Sequence, residues 1–466
     1  MNARLHPDQD VAAFPLLSGD AGRVFAWRGS TPVSAAQFLG EALTLAETLD
    51  GHGHVLNLCE DRYRFLLGFA AALISGLPTL LPPSRSPATL TGLVQDFDRV
   101  QAIGDADSIC PDLLARLPVH CRLLPLDASS AEPRWPAPDI AADSLAAVGF
   151  TSGSTGAPMP QQKYWGSLCT SNLHNATALW RCLREAGHGD AAGSVVATVP
   201  AQHMWGMEAS VLLPLRTSIA VHSGRPFFPA DIAQALAELP PPRVLVTTPV
   251  HLKTLVGSKQ PLPELAVILC AAAPLSPELA KTAEATTGAR VLEMFGSTET
   301  CVFASRRTAV DDDWTAYPGV CFEPSAGGTR IGAGWLRSPV VLPDHIDADE
   351  SGHFRVLGRS SDHLEIAGKR ASLAGLTASL QALDGVLDAV VFAPDDGGGE
   401  VQRLAALAVA PTRSEAALLK ELRQHIDPLF LPRPLRIVDA LPRNATGKLP
   451  RAALLATLGD ARCRKD

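Results

Sequence analysis

Residues 148–163 read V-G-F-T-S-G-S-T-G-A-P-M-P-Q-Q-K. The apolar run that leads into them, Leu145 to Phe150, predicts a short buried strand that stops at Thr151. Two hydroxyl–glycine units follow, Ser152-Gly153 and Thr155-Gly156, and Pro158 and Pro160 then exclude an immediate long helix. Glycines let successive backbone N–H groups turn toward one point, and Thr151, Ser152, Ser154 and Thr155 add hydroxyls around it. A concave array of donors of this kind suits a polyphosphate, and Lys163 at its end adds a point charge. An isolated Gly/Ser/Thr run is more often a polar surface loop, and this one lacks the Gly-Lys-Ser/Thr of the common nucleotide loop.

Around this stretch, 466 residues allow about three domains at ~150 residues each, with a sizeable core. A net charge of −8 argues against a nucleic-acid partner, and the one basic run, Arg462 to Lys465, reads as a solvated end. Nine scattered cysteines without a C-x-x-C pair fit a reducing cytoplasm better than a disulfide framework or a zinc site. The N-terminus lacks the basic-then-apolar order of a signal peptide. The most apolar stretch, Phe65 to Leu81, is cut by Gly68, Ser75, Gly76 and Pro78 into pieces too short to span a bilayer, so no membrane span is expected.

The spacing predicts strands at His54–Leu58, Thr79–Leu81, Val195–Val199, Val244–Thr247, Leu265–Leu269 and Arg290–Glu293. Helices are predicted at Arg62–Ile74, Ala230–Leu239, Val250–Val256 and Ser276–Thr287. This alternation is that of layered α/β subdomains with parallel sheet, whose default ligand site is the crevice at the C-terminal ends of the strands. From Val310 the chain becomes turn-rich and β-like. After Arg359 a small α+β unit follows, with helices at Leu373–Leu383 and Ser414–Ile426. Its strands are Ala389–Phe392, Leu404–Val409 and Leu435–Val438, the first two joined by a Gly397–Gly399 turn. The expected division is a large domain, 1–359, and a small one, 360–466.

The string T-S-G-S-T-G-x-P resembles the phosphate loop of the adenylate-forming superfamily of acyl-CoA synthetases, peptide-synthetase adenylation domains and luciferases. The family usually continues Pro-Lys-Gly, where this chain has Pro158-Met159-Pro160 and its nearest lysine is Lys163. Further segments resemble the family in its order. Cys270-Ala271-Ala272-Ala273-Pro274-Leu275 is similar to S-G-G-A-P-L, at the end of a strand where backbone lies against the adenine. Tight packing at a strand end would also explain its small residues. Phe295-Gly296-Ser297-Thr298-Glu299 is similar to Y-G-x-T-E. The resemblance implies that Phe295 stacks on adenine beside Gly296, Thr298 meets the α-phosphate and Glu299 holds Mg²⁺ as a hard oxygen ligand. A Thr-Glu pair alone is also a helix cap.

Val341-Leu342-Pro343-Asp344 stands where the family has T-G-D, and Gly352 to Arg359 matches G-x-F-x-x-x-G-R. Asp344 and Arg359 would then hold the ribose, with Asp347 or Asp349 as solvated alternatives to the first and an ordinary surface charge as the alternative for the second. The segment 360–370 resembles the family hinge, with Ser361 at the pivot and Glu365 in place of a lysine. Leu441 to Arg451 resembles P-x-x-x-x-G-K-[IL]-x-R, which makes Lys448 the cation of the adenylation step. A Gly-Lys turn without these companions is usually solvated. The acid pocket implied by the resemblance lies between Gln202–Met207, the end of the strand at Thr247-Thr248-Pro249, and Cys270 to Ala273. His203 sits at a family pocket position, with a structural histidine as the rival reading, while Met204, Trp205 and Gly206 supply an apolar wall with Thr248, Cys270 and Ala271 around it.

The implied activity is ATP- and Mg²⁺-dependent activation of a small carboxylic acid as its adenylate. Transfer to the phosphopantetheine thiol of coenzyme A or of a separate acyl carrier protein follows, with the small domain turning between the steps. Cys270 and Cys301 read as lining rather than nucleophiles. The run Pro158 to Trp165 is similar to stand-alone aryl-acid ligases of aryl-polyene and xanthomonadin-type pathways, which favours a hydroxybenzoate-like acid. The alternative, favoured by Met159 and Ser361, is a catalytically weak nucleotide-binding partner protein, and luciferase-like oxidation leaves no distinctive mark in the sequence.

Overall fold

The computed structural model describes residues 12–83, 85–106, 115, 119, 121–124, 131–152, 158–189, 193–359, 363–366, 369–394, 404–444 and 447–463. For residues 87–88, 152, 158, 359, 363–366, 369–372 and 460–463 it describes the backbone alone. Two compact units result, one of residues 1–321, 332–340 and 351–353, the other of 322–331, 341–350 and 354–466. The expected Gly397–Gly399 turn and the expected hinge residue Ser361 lie outside the described residues.

Two large sheets dominate the first unit. In the smaller, the strands run in the order Pro158–Tyr164, Leu145–Ser152, Thr79–Leu80, His54–Asn57, Val100–Asp105, Cys121–Leu124. All neighbours are parallel except the first pair. In the larger sheet the strands Arg290–Ser297, Val267–Cys270, Arg243–Thr247, Ser194–Ala197, Ala220–His222 and Val24–Arg28 lie side by side and parallel. The strand Cys301–Arg306 turns back antiparallel on Arg290–Ser297. The central strands are unbroken Val, Leu and Ile runs because both faces are covered, as the burial of Val244, Leu245, Val246, Val267, Ile268 and Leu269 shows.

The helices between these strands start where the chain chemistry allows. Pro229–Ala237, Pro249–Gly257 and Pro277–Thr287 each begin on a proline, which lacks the N–H that a first turn leaves unpaired. Asp61 caps Arg62–Ile74 by accepting from the Arg64 N–H. That helix buries Arg62, whose guanidinium donates to the Ala197 and Val199 carbonyls at 3.0 and 2.7 Å. The start of this helix and the C-terminal end of the Ser194–Ala197 strand are thereby tied together.

Pro158 and Pro160 exclude a helix, as expected, but they lie in a strand rather than in a loop. Pro158–Tyr164 is the outermost strand of its sheet, where a proline leaves no ladder bond unmade. The next element, Trp165–Glu185, is a helix of 21 residues whose inward face carries Trp165, Leu168, Asn172, Asn175, Leu179 and Leu183.

The turn-rich region after Val310 forms short strands, among them Cys321–Ser325, Gly328–Gly332 and Val340–Leu342 in one small sheet. In the second unit Asp344–Ala348 and His353–Arg359 make an antiparallel hairpin. The strands Asp388–Phe392, Ala405–Val409 and Leu435–Ile437 form a three-stranded sheet. One face packs Leu376, Leu380, Leu418 and Leu422, and the other packs Leu454 and Leu458 of Arg451–Cys463. Among the described residues no helix is long and apolar enough to cross a membrane.

Candidate active site

Four parallel strands of the larger sheet end side by side, and the predicted pocket segments leave from those ends. Thr198, just beyond Ser194–Ala197, shares a 3.0 Å hydrogen bond with the Thr247 hydroxyl and a 2.8 Å one with His251 Nδ1. Burial, with Arg225 as a lesser cause, lowers the His251 pKa and favours its neutral form. Trp205 donates its indole N–H to the Thr247 carbonyl at 3.0 Å. His203 stands at the N-cap of Met204–Met207, and Gly206 is pressed onto the chain, since a Cβ there would meet the Pro200 carbonyl oxygen at 1.9 Å. Thr248 and Cys270 were expected to line the acid pocket. Both are fully buried, and the Thr248 hydroxyl is used in capping Pro249–Gly257. His203, Ala272 and Ala273, by contrast, are only half-buried.

The expected adenine segment begins at Ala271, whose N–H donates to the Thr247 carbonyl at 3.4 Å. Ala272 takes φ +77°, in the left-handed region where a Cβ is strained. Glu293, buried in the neighbouring strand, accepts from the Leu275 N–H at 3.0 Å and from Arg306 Nε at 2.9 Å. It fixes the Ala271–Leu275 turn, a task that the sequence reading missed. The available signal was one acidic residue inside an otherwise apolar parallel strand. Phe295 is half-buried, with its ring centroid 5.1 Å from Phe303 and 5.0 Å from Trp314.

Thr298 and Glu299 sit in the turn between Arg290–Ser297 and Cys301–Arg306, both half-buried. Gly296 is required there, because a Cβ would lie 2.3 Å from the Cys301 carbonyl oxygen. Thr300 accepts from the Ser297 N–H and donates to the Cys301 carbonyl. Trp335 donates its indole N–H to the Thr300 carbonyl at 2.9 Å. Cys301 holds φ +60°. Burial raises the pKa of Cys270 and pushes that of Cys301 up to about 11, so both thiols stay protonated near neutral pH.

Lys163 was expected at the end of the phosphate loop. Its side chain is instead buried and donates to the Glu299 carbonyl at 2.9 Å. Met159, where the family has its lysine, is 52% exposed. Nearby, Glu208 opens a π-helical turn, Glu208–Leu212, an insertion that often marks functional sites. Its carboxylate accepts from the Val302 N–H at 2.9 Å and from Asn175 at 3.1 Å. Burial pushes its pKa up to about 7 against the opposing pull of those donors and of Lys163.

The expected phosphate-loop residues Gly153, Ser154, Thr155 and Gly156 lie outside the described residues. The strands that carry the loop pair Thr151 with Met159 and Ser152 with Pro158, so both of its ends are fixed. Gly149, two residues before Thr151, joins the motifs. A Cβ there would lie 3.0 Å from Thr298 Cγ2 and 3.9 Å from Met204 Sδ. The strand entering the 151–156 stretch, the Thr298–Glu299 turn and the Met204 segment therefore meet at one point. Among the described residues no group of three or more His, Cys, Asp or Glu is placed to hold a metal ion.

In the second unit Asp344 and Arg359 are direct partners in the hairpin register; Asp344 is buried, whereas Asp347 and Ala348 at the other end of its strand are exposed. Lys448 is exposed on a turn in which its N–H donates to Asn444 Oδ1 at 2.9 Å and Asn444 N–H donates back to its carbonyl at 2.8 Å. Gly447 takes φ +79°. Arg443 braces the turn, donating to the Gly447 carbonyl and forming a two-pronged pair with Asp388 at 2.9–3.0 Å.

The family model for AMP-binding enzymes matches residues 34–327, and that for the AMP-binding enzyme C-terminal domain matches residues 378–448. The chain is 29% identical over 305 residues to a 4-coumarate–CoA ligase of Cereibacter sphaeroides, covering 64% of this chain and 69% of that one. It is 26% identical over 388 residues to a Salinispora arenicola protein named as a probable non-canonical nonribosomal peptide synthetase, covering 70% of this chain and spanning 5% of the synthetase's length. The fold is similar to that of ATP-bound MatB from Rhodopseudomonas palustris, with a TM-score of 0.78, 21% identity, and 95% of this chain and 97% of that one covered.

Proposed function

Since the chain belongs to the AMP-binding enzyme family, we propose that it activates a small carboxylic acid as its acyl-adenylate and passes the acyl group to a phosphopantetheine thiol. The observation that carries this reading is the meeting of Gly149, Thr298 and Met204. It supports the reading because the Met204 segment, the strand that enters 151–156 and the Thr298–Glu299 pair lie beside one another.

A carboxylate is a poor acceptor for a thiol, because its charge must be lost and oxide is a poor leaving group. In the first step the acid's carboxylate oxygen attacks the α-phosphorus of ATP, and the bond to the β-phosphate oxygen breaks to release pyrophosphate. In the second the thiol sulfur attacks the acyl carbon, the thiol proton goes to solvent, and AMP leaves. The protein's part is positioning and charge neutralisation. The backbone and hydroxyls of 151–156 would cradle the phosphates, and Thr298 would donate to the α-phosphate. The Ala271–Pro274 backbone, Phe295 and Gly296 would hold the adenine, and Asp344 with Arg359 the ribose. The half-buried Glu299 carboxylate is a hard oxygen donor that fits Mg²⁺, which would offset phosphate charge when bound. Lys448 would stabilise the charge of the first step, and the 360–466 segment, turning about Ser361, would exchange it for the thiol. Trp205, Met204 and His203 would hold an aryl or short acyl group, with a hydroxybenzoate-like acid favoured.

ATP–pyrophosphate exchange with a panel of aryl and short acyl acids tests this, followed by mass measurement of coenzyme A and carrier-protein products. Acid-dependent exchange is expected, and Lys448→Ala should remove it while leaving the fold intact. Nucleotide binding without exchange on any acid would instead mark a binding protein, the outcome that the exposed Met159 would then explain.

A further inference from the structure

The geometry points to Lys163 and Glu208 as a buried clamp that sets the position of the Thr298–Glu299 turn. The two residues come from different parts of the first unit, the edge strand Pro158–Tyr164 and the π-helical turn Glu208–Leu212. They grip the turn at two points, Lys163 on the Glu299 carbonyl and Glu208 on the Val302 N–H. Cys301, between those points, is held at a positive φ that a β-carbon resists. A strained residue persists where its surroundings over-determine it, and these two contacts, with Trp335 on Thr300, do so.

The clamp is itself held from behind. Asn175 donates to the Glu208 carboxylate, and Tyr317 in turn donates to Asn175 Oδ1 at 3.0 Å. Asn172 donates to the Glu208 backbone carbonyl at 2.8 Å. Both asparagines lie on the helix Trp165–Glu185 that begins two residues after Lys163. Side chains locked in this way are what hold reacting groups in place. Lys163 and Glu208 touch neither nucleotide nor acid in this reading, and they act through the turn as positioning residues.

This inference rests on Glu299 and Thr298 serving MgATP as proposed above. Its test compares Lys163→Met, Lys163→Arg and Glu208→Gln with the wild type, each corrected for its folded fraction by circular dichroism. Lys163→Met should lower the exchange kcat about tenfold or more, with the KM for the acid within about twofold. Titrations followed by intrinsic tryptophan fluorescence should show weaker binding of ATP with Mg²⁺ and unchanged binding of ATP with EDTA. Lys163→Arg should restore part of both losses, and Glu208→Gln should lower kcat and MgATP affinity in the same direction as Lys163→Met. A lowered melting temperature with kcat and MgATP affinity unchanged would overturn the clamp and leave a purely structural role. If the wild type shows no exchange with any acid, the functional reading fails, and the MgATP titrations still decide the clamp.

Discussion

Lys448 and Lys163 put one kind of side chain to opposite uses. Lys448 is exposed, on a turn shaped by Asn444 and Gly447, whereas Lys163 is buried and spent on a carbonyl. The turn under the first was legible in the sequence because its Asn and Gly neighbours are turn formers. The burial of the second was not legible, because position in a motif says nothing about which way a side chain points. Glu208 was missed for a related reason: its environment comes from residues far away in sequence, Asn175 and Val302. That environment has a consequence for stability. In the unfolded chain Glu208 ionises near its ordinary 4.5, and in the fold only near 7. Between those values the folded state keeps a proton that the unfolded state has released, so stability falls as pH rises through that interval. Its ionisable neighbours Cys301 and Tyr317 have raised pKa values and stay neutral there, leaving Lys163 as the charge beside it. Glu208→Gln should therefore gain on the wild type between about pH 4.5 and about pH 7, by at most on the order of 3 kcal/mol. Melting curves across that range check it, and a constant difference would contradict it.

The strands and helices of the first unit were legible where sequence and environment agree. Arg62–Ile74 was read with its observed bounds, and the Val and Leu runs of the parallel strands follow from burial on both faces. Pro158–Tyr164 was not legible, because a proline reads as a breaker until the strand is known to be outermost. The helix Trp165–Glu185 was hidden by the polar residues on its buried face, Asn172 and Asn175. The hairpin carrying Thr298 and Glu299 depends on Gly296, where a β-carbon would lie 2.3 Å from the Cys301 carbonyl oxygen. Gly296→Ala should lower stability by about 1–3 kcal/mol through backbone displacement. Thermal denaturation reads this directly, and an unchanged melting temperature would mean that the turn is free to yield.

Over the whole chain, short motifs separated by long unremarkable stretches were enough to name the family, and the two family models match residues 34–327 and 378–448. The motifs could not show which residues hold their loops. Glu293 behind Ala271–Leu275, Trp335 behind Thr300 and Arg443 behind Lys448 are visible only in three dimensions. The central claim is that separate segments converge on one nucleotide, and a crystal structure with a non-hydrolysable acyl-adenylate analogue tests it most directly. The expected result is adenine against Ala271–Pro274 and Phe295, with the phosphate mimic between Thr298 and the 151–156 loop. Density for the analogue anywhere else, with Thr298 and Glu299 untouched, would contradict it.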